Sequence, residues 1–326
     1  MSGSKNKDML IFVLLMAALL VAPFGVYPVF LMKVLCFALF ALAFNLLIGY
    51  AGLLSFGHAM FFGFAAYISG HTVKVLGWTP ELGILAGVAS AAVMGLVTGA
   101  IAIRRQGIYF AMVTLALSQM VFFFCVQAKF TGGEDGIQAI PRRPLFGVLD
   151  TANDLNFYYV VLAIFAIGFL IIYRTIHSPF GQVLKAIREN EQRAISLGYA
   201  VDRFKLIAFV LSASLAGLAG ATKSLVFQLA SLTDVTWQMS GEVVLMTLVG
   251  GMGTVFGPIV GAAIIIWMQS GLAHLGEWVL VIQGFIFVVT VLLFRRGIVG
   301  ELIAFAGRFS GKKAEIPAAG HAHPAE

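Results

Sequence analysis

The stretch Ser178–Gly198, SPFGQVLKAIRENEQRAISLG, is a charged segment inside a chain that is otherwise almost entirely apolar. Ser178 and Pro179 are typical of a helix N-terminus, and Gly198 is typical of a helix end. Apolar residues recur at helical spacing and polar residues fill the remaining positions, so the segment is predicted to form one amphipathic helix. A water-exposed helix of this kind between apolar segments offers a docking site to a soluble partner protein.

The composition of the rest of the chain indicates a polytopic membrane protein. Apolar residues make up 60% and charged residues 11% of the 326 residues, and the mean hydropathy is +0.97, which excludes an ordinary soluble domain. Apolar runs of about 20 residues are long enough to cross a bilayer. We predict ten spans, at about 9–28, 30–48, 58–76, 82–103, 108–128, 157–176, 204–225, 241–252, 256–272 and 279–295. The eighth is short and is interpreted as a candidate broken helix. The first resembles a signal peptide, but no small-x-small cleavage site follows it.

The basic residues predict the orientation in the membrane. With ten spans and Ser178–Gly198 inside the cell, both termini are cytoplasmic, and fifteen of the twenty-one Lys and Arg residues lie on that side. The positive-inside rule expects this asymmetry. We therefore predict a cytoplasmic N-terminus at 1–8, a transmembrane domain at 9–300 and a cytoplasmic tail at 301–326 that is disordered. The net charge of +6 reflects this topology and does not indicate a nucleic-acid partner.

Small residues recur every four positions along two predicted spans. In the fourth span they are Gly83, Gly87, Ala91, Gly95 and Gly99, and in the seventh they are Ser212, Ala216 and Gly220 beside Ala213, Gly217 and Ala221. Small residues at this spacing let helix backbones approach one another in a membrane. The two spans are therefore predicted to pack closely against other helices.

Two glycine-interrupted segments differ from the packing helices around them. Gly49–His58 follows the second predicted span, and Gly250–Pro258 follows the eighth. The sequence NLLIGYAG at 45–52 can be aligned with MTLVGGMG at 246–253, which predicts corresponding positions in two parallel repeats. Interruptions at matching positions indicate broken or re-entrant helices beside a transport pathway.

A few polar residues lie at membrane depth, where they are expected to face the bundle interior or a cavity. Those predicted to line a pathway, together with glycines of the two interrupted segments, are Asn45, Gly49, Gly52, Ser55, His58, Thr114, Gln119, Glu242, Gly250 and Gly253. A packing role is the simpler interpretation of His58, and a capping or solvated carboxylate is an equal alternative for Glu242. There is no chain of intramembrane carboxylates that would indicate proton or sodium coupling.

The sequence carries no motif for chemistry of its own. It has no Walker A pattern, no Ser/His/Asp or HExxH constellation and no paired carboxylates, so neither nucleotide binding nor an intramembrane enzyme is expected. Cys36 and Cys125 fall inside predicted spans and are interpreted as packing residues. His321 and His323 lie in the polar tail, where two histidines do not predict a metal site. We expect no cofactor and no metal on this chain.

Several segments, in the same order, resemble the LivM-type inner-membrane permeases of branched-chain amino acid importers of the ABC class. The resemblance runs from about Phe44 to Gly300 and includes segments 45–67, 104–120, 131–141, 178–199, 205–221, 240–262 and 294–300. It implies the ABC importer permease fold, an all-α architecture with broken or re-entrant segments, in the bacterial inner membrane. It also implies a subunit that translocates leucine, isoleucine and valine.

The same resemblance implies the partners. They are a second, related permease subunit that completes a heterodimer, two ATPase subunits that hold ATP and Mg, a periplasmic binding protein that delivers the substrate, and the lipid bilayer. The amphipathic segment resembles the family's coupling helix, and the residues assigned to ATPase coupling are Leu184, Ile187, Arg188, Glu189, Asn190, Glu191 and Gly198. The loop TGGEDG at 131–136 departs from the TGGPNG form expected of the family. With Arg142 and Arg143 beyond it, the loop is expected on the face where the binding protein docks.

The cargo stays open at this point, because in this class the binding protein selects the substrate. Related systems carry urea, short amides or aromatic acids, and nothing in the sequence excludes them. A self-sufficient secondary transporter or channel is the alternative from another functional class. It predicts uptake without an ATPase and leaves the amphipathic segment without a role.

Overall fold

The structure is a computed structural model that describes residues 2–145, 151, 153–272, 274, 276, 278–293 and 297–301. The predicted disordered tail, with His321 and His323, lies outside the described residues except for Glu301. The described part of the chain contains α-helices and short helical turns, with one isolated bridge between Ile137 and Ala230. The all-α prediction is therefore confirmed for these residues.

The α-helices form the following series along the chain. They are α1 (Ser2–Val21), α2 (Pro28–Asn45), α3 (His58–Lys74), α4 (Pro80–Ala102), α5 (Gly107–Gln127), α6 (Asp154–His177), α7 (Pro179–Glu189), α8 (Glu191–Ser196), α9 (Val201–Phe227), α10 (Trp237–Gly250), α11 (Gly257–Gly271) and α12 (Trp278–Leu293). A π-helical turn, Leu46–Ala51, continues α2. Short 3-10 turns lie at Ala22–Phe24, Lys129–Thr131, Gly133–Asp135 and Leu232–Asp234.

Each predicted span coincides with one of these helices. Among the described residues, five helices are long and apolar enough to cross a membrane: Pro28–Ala51, Pro80–Ala102, Gly107–Gln127, Asp154–His177 and Val201–Phe227. The remaining predicted spans are shorter or less uniformly apolar helices, so ten membrane crossings remain a prediction. Helix α1 begins at Ser2, within the segment predicted as a separate N-terminus, and α10 begins at Trp237, earlier than predicted.

Helix α9 is the centre of the bundle and packs against α2, α3 and α4. Its contact with α4 depends on small residues: a Cβ at Gly95 would lie 2.6 Å from the Cβ of Ala213, and one at Gly87 would lie 2.9 Å from the Cβ of Ala221. Real Cβ atoms do not approach so closely, so only hydrogen fits at these positions. The close packing predicted from the two small-residue stripes is confirmed, and the stripes pack against each other.

The bundle has two different ends. One end carries α7 and α8, and we call it the α7 end. The other, which we call the opposite end, carries the turn Leu232–Asp234 and the loop after α5. Ile137 and Ala230 exchange backbone hydrogen bonds of 2.9 Å there, which join the loop after α5 to the loop after α9.

Candidate translocation and coupling site

The prediction of one helix over Ser178–Gly198 is wrong, because the segment forms α7 and α8, which meet at Asn190. Ser178 caps α7 as predicted, accepting a hydrogen bond from the Gly181 amide at 3.3 Å. Asn190 has an extended backbone, with φ −156° and ψ 99°, and its side chain accepts from the Arg193 amide at 2.9 Å. Asparagine is a strong N-cap because this local bond competes with continuing the helix.

The apolar residues assigned to coupling face the protein itself. Leu184 and Ile187 are 0% and 2% exposed, and Ile187 packs with Ala194 of α8. They hold α7 and α8 on the bundle and leave the polar side of the segment for any partner. Glu189 and Gly198 are exposed on that side.

Glu191 binds two other elements of the same chain. Its Oε1 accepts hydrogen bonds from Lys205 Nζ of α9 at 2.6 Å and from Gln106 Nε2, just before α5, at 2.9 Å. Lys205 is only 3% exposed, so its ammonium depends on this carboxylate for compensation. The pair fixes the start of α8 against α9 and against the connection between α4 and α5.

Arg188 of α7 contacts both glycine-interrupted segments. Its Nη1 donates a hydrogen bond to the carbonyl oxygen of Gly49. Its Cγ lies 2.9 Å from the position of a Cβ at Gly52, and its Nη1 lies 3.5 Å from the position of a Cβ at Gly253. Gly52 also has φ +73°, a conformation that favours glycine. One arginine is therefore the shared contact between the amphipathic segment and the two interruptions.

The first interruption, which we call the first break, comprises the π-helical turn Leu46–Ala51 and the loop 52–57 before α3. In the loop, the Phe56 amide donates to Thr114 Oγ1 and the Gly57 amide donates to Ser55 Oγ, both at 3.2 Å. Ser55 and Thr114 are fully buried. Backbone donors of a non-helical segment inside a membrane bundle need such partners, because lipid offers none.

The second break, the loop 251–256 between α10 and α11, is bound to the first by Asn45. The Asn45 Oδ1 accepts from the Gly253 amide at 2.9 Å, and its Nδ2 donates to the Thr254 carbonyl at 2.9 Å. A Cβ at Gly49 would lie 2.8 Å from the Gly253 nitrogen. The two segments that the sequence pairs by similarity are therefore in direct contact.

The other residues predicted to line a pathway take no part in the hydrogen bonds that Arg188 and Asn45 form with the two breaks. His58 is buried and its Nε2 is 2.8 Å from Ser212 Oγ of α9, among the rings of three phenylalanines, as a packing role requires. Glu242 Oε2 accepts a hydrogen bond from Gln269 Nε2 at 3.2 Å, near the opposite end. Gln119 is partly exposed on α5. Gly250 ends α10, where it contacts the start of α11.

The two arginines expected near the docking loop are bound within the fold. Arg142 donates to Asp154 Oδ1 and to a backbone carbonyl of α9, each at 2.6 Å. Arg143 donates to the carbonyl of Gly77 at 2.5 Å. Glu134, in the predicted docking loop 131–136, is exposed.

Sequence reasoning missed a group of charges near the opposite end. Lys223 of α9 donates to both carboxylate oxygens of Asp234, at 2.8 and 2.6 Å, and both side chains are buried. Lys33 of α2 and Glu242 of α10 interact electrostatically with this pair and with each other. The signal was present in the sequence, since charged residues within apolar spans are costly and therefore rarely incidental.

Comparison with known proteins shows the family to which the chain belongs. A family profile described as "Branched-chain amino acid transport system / permease component" matches residues 28–291. The chain belongs to this permease family. The resemblance found in the sequence is thereby confirmed.

Individual relatives agree with that family. The chain is 29% identical over 276 residues to the high-affinity branched-chain amino acid transport system permease protein LivM of Salmonella typhimurium, covering 76% of this chain and 64% of that protein. It is 27% identical over 314 residues to the LivM protein of Escherichia coli, covering 86% and 72%. It is also 30% identical over 139 residues to the ribose import permease protein RbsC of Bacillus subtilis, covering 40% and 43%. No solved structure matches the chain.

Proposed function

We propose that the chain is the transmembrane permease subunit of an ATP-driven importer of branched-chain amino acids, receiving its substrate from a binding protein. Membership of the permease family supports the transport role, and the similarity to the two LivM proteins supports the cargo. The observation that carries the mechanism is the contact of Arg188 with both breaks.

In this proposal α7 and α8 are the surface on which an ATPase subunit acts. Their apolar residues pack on the bundle, so the ATPase meets the exposed polar side, including Glu189, Gln192 and Arg193. The α7 end then lies in the cytoplasm, both termini lie there as well, and the opposite end faces the periplasm. This orientation agrees with the excess of basic residues on the α7 side.

Arg188 passes the motion of α7 to the pathway. Closure of the ATPase subunits on ATP displaces α7, and Arg188 moves with it because Leu184 and Ile187 fix the helix register. The hydrogen bond from Arg188 to Gly49 moves the first break, and Asn45 moves the second break with it. The two breaks change together, which switches access between the two sides of the membrane.

Reconstitution tests the proposal. Proteoliposomes would contain the full chain with a second permease and two ATPase subunits encoded beside its gene, together with the encoded binding protein. We expect uptake of leucine, isoleucine and valine that requires ATP and all subunits. Uptake by this chain alone, or uptake that persists after ATP depletion, would establish a secondary transporter instead.

The same vesicles identify the cargo. Urea, short amides and aromatic acids are offered in parallel as alternatives within the importer class, and ribose is included because of the similarity to the RbsC protein. We expect ATP-dependent uptake for the branched-chain amino acids. ATP-dependent uptake of ribose or urea without amino acid uptake would keep the importer mechanism and overturn the cargo.

A further inference from the structure

Two opposite charges near the opposite end of the bundle, Lys33 and Glu242, form no close ion pair in the described part of the chain. Lys33 lies in the second turn of α2 and Glu242 in the second turn of α10. Both are partly exposed. Within the described part of the chain, Lys33 makes no hydrogen bond or close ion pair, and Glu242 uses only Oε2, which accepts from Gln269 of α11.

The neighbouring buried pair cannot neutralise these charges. Lys223 and Asp234 are 8% and 2% exposed and already compensate each other through two hydrogen bonds. Lys33 lies within electrostatic range of Lys223, and Glu242 within range of Asp234, so each faces a like charge as well as its opposite. Lys33 and Glu242 attract each other more strongly than these like charges repel them. In the described part of the chain, however, no hydrogen bond or close ion pair joins the two, so each can still bind a further counter-charge.

Lipid cannot supply those counter-charges. A charged side chain on a membrane helix faces protein or a water-filled cavity, because the hydrocarbon core solvates it poorly. Helices α2, α10 and α11 pack on one another and carry Lys33, Glu242 and Gln269, each of them partly exposed. These helices also lead to the two breaks at the other end of the bundle, since α2 ends at Asn45 and α11 begins after the loop 251–256. The two charges and the two breaks are therefore carried by the same helices, at opposite ends of the bundle.

We propose that Lys33 and Glu242 form a binding site for the charged groups of a zwitterionic amino acid at the periplasmic entrance of the pathway. The Lys33 ammonium donates to the substrate carboxylate, and Glu242 Oε1 accepts from the substrate ammonium while Gln269 holds Oε2. These contacts recognise the part that all amino acids share and leave side-chain selection to the binding protein. An uncharged sugar or urea offers no matching charges. This inference rests on the proposed function and names the substrate class of its pathway.

Charge exchange in the reconstituted importer tests the inference. Lys33→Glu and Glu242→Lys are compared with the double exchange, at saturating loaded binding protein. Each single variant is expected to lower the maximal uptake rate about tenfold or more, since one charge-assisted contact becomes repulsive. The double variant is expected to recover most of that loss, because a zwitterion can bind in the reversed direction. Arg203→Glu and Asp202→Lys, at exposed positions of α9, are matched controls outside the site, expected to transport like the parent.

A second set of variants distinguishes loss of the binding site from misfolding. Lys33→Met and Glu242→Gln keep the size of the side chains and remove the charge, and we expect the assembled complex to elute normally with about tenfold lower uptake. Single variants that transport like the parent would overturn the inference. So would loss of assembly with the second permease, which would assign the two charges to a contact between subunits. Absence of ATP-dependent uptake by the parent would overturn the proposed function together with this site.

Discussion

The two breaks occupy matching positions in the sequence but are packed in different ways. At the second break the flanking helices α10 and α11 pack directly on each other: a Cβ at Gly250 would collide with the Gly257 carbonyl, and one at Gly261 with the Met246 carbonyl. At the first break the flanking helices separate, and α2 and α3 both pack on α9. The second break is a tight hairpin of backbones, whereas the first is held by side-chain hydrogen bonds together with close backbone approaches at Gly49 and Gly57.

This difference indicates which break moves. Backbone contacts between glycines leave no room for adjustment, because packed interiors respond to small shifts as rigid bodies. The hydrogen bonds that the side chains of Ser55, Thr114, Asn45 and Arg188 form with the backbone can be exchanged one at a time. The first break is thus suited to be the movable element, and the hairpin of α10 and α11 suits a rigid partner that follows it.

The largest effect is expected from placing a side chain at the backbone contact between α10 and α11. Gly250→Val would force α10 and α11 apart, since the new side chain meets backbone and not a flexible neighbour. We expect loss of several kcal/mol of stability, about 3 or more, and little folded protein in size-exclusion chromatography. Gly241→Val in the same helix, where nothing lies within 4 Å, is the matched control and should fold normally. Folded, active Gly250→Val protein would contradict the rigid-hairpin description.

Removing the link between the breaks should have the next largest effect. Asn45→Leu keeps the volume but deletes the bonds to Gly253 and Thr254, leaving a partly buried amide and carbonyl unpaired at a cost of about 1 kcal/mol each. We expect a lower melting temperature and ATP hydrolysis that no longer drives uptake. Gln127→Leu, a change of similar kind at the exposed end of α5, serves as the control and should couple normally. Uptake per ATP unchanged in Asn45→Leu would mean that the breaks act independently.

Breaking the ion pair between Glu191 and Lys205, which fixes the start of α8, is expected to have an intermediate effect. Glu191→Gln leaves the buried Lys205 ammonium without its carboxylate, and we expect about 1–3 kcal/mol lower stability, allowing for the partial exposure of Glu191. Hydrogen exchange of 191–197 should become faster while exchange in the two breaks stays unchanged. The double variant Glu191→Leu with Lys205→Leu removes both charges and should recover much of the loss. Equal exchange in the parent and Glu191→Gln would show that the ion pair does not hold α8.

The smallest effect concerns the first break itself. Thr114→Val removes the acceptor for the Phe56 amide and is expected to cost about 1 kcal/mol, because the loop can relax. Native-state hydrogen exchange should be faster in 52–57 of this variant and unchanged in 251–256. Faster exchange in both loops would indicate that they unfold as one unit and would weaken the distinction between them.

Much of the fold follows from local patterns. Apolar runs predict where the helices lie, and small residues at every fourth position predict that α4 and α9 pack closely against other helices. That the two stripes pack against each other is shown only by the structure. The division between α7 and α8 was missed because periodicity continues across Asn190 while its side chain caps a new helix. Helix propensity alone does not decide such a local competition.

The site was predicted in parts but not as a unit. Glycine-rich segments with matching neighbours indicated both breaks, yet nothing local indicates that Asn45 binds Gly253, which is far away in sequence. Arg188 was assigned to the polar side of the amphipathic segment and to an ATPase partner. The residue is exposed, and its long side chain also reaches the Gly49 carbonyl, a contact that nothing local in the sequence indicates.

The most direct test is uptake per ATP hydrolysed in the reconstituted importer carrying Arg188→Met. This variant keeps the apolar stem of the side chain and removes the hydrogen bond to Gly49, so assembly and ATP hydrolysis should persist while uptake falls about tenfold or more. Arg203→Met, which changes an exposed arginine of α9 outside α7 and α8, is the control and should retain the parental ratio of uptake to hydrolysis. An unchanged ratio in Arg188→Met would contradict the claim that this arginine transmits the motion of α7 to the two breaks.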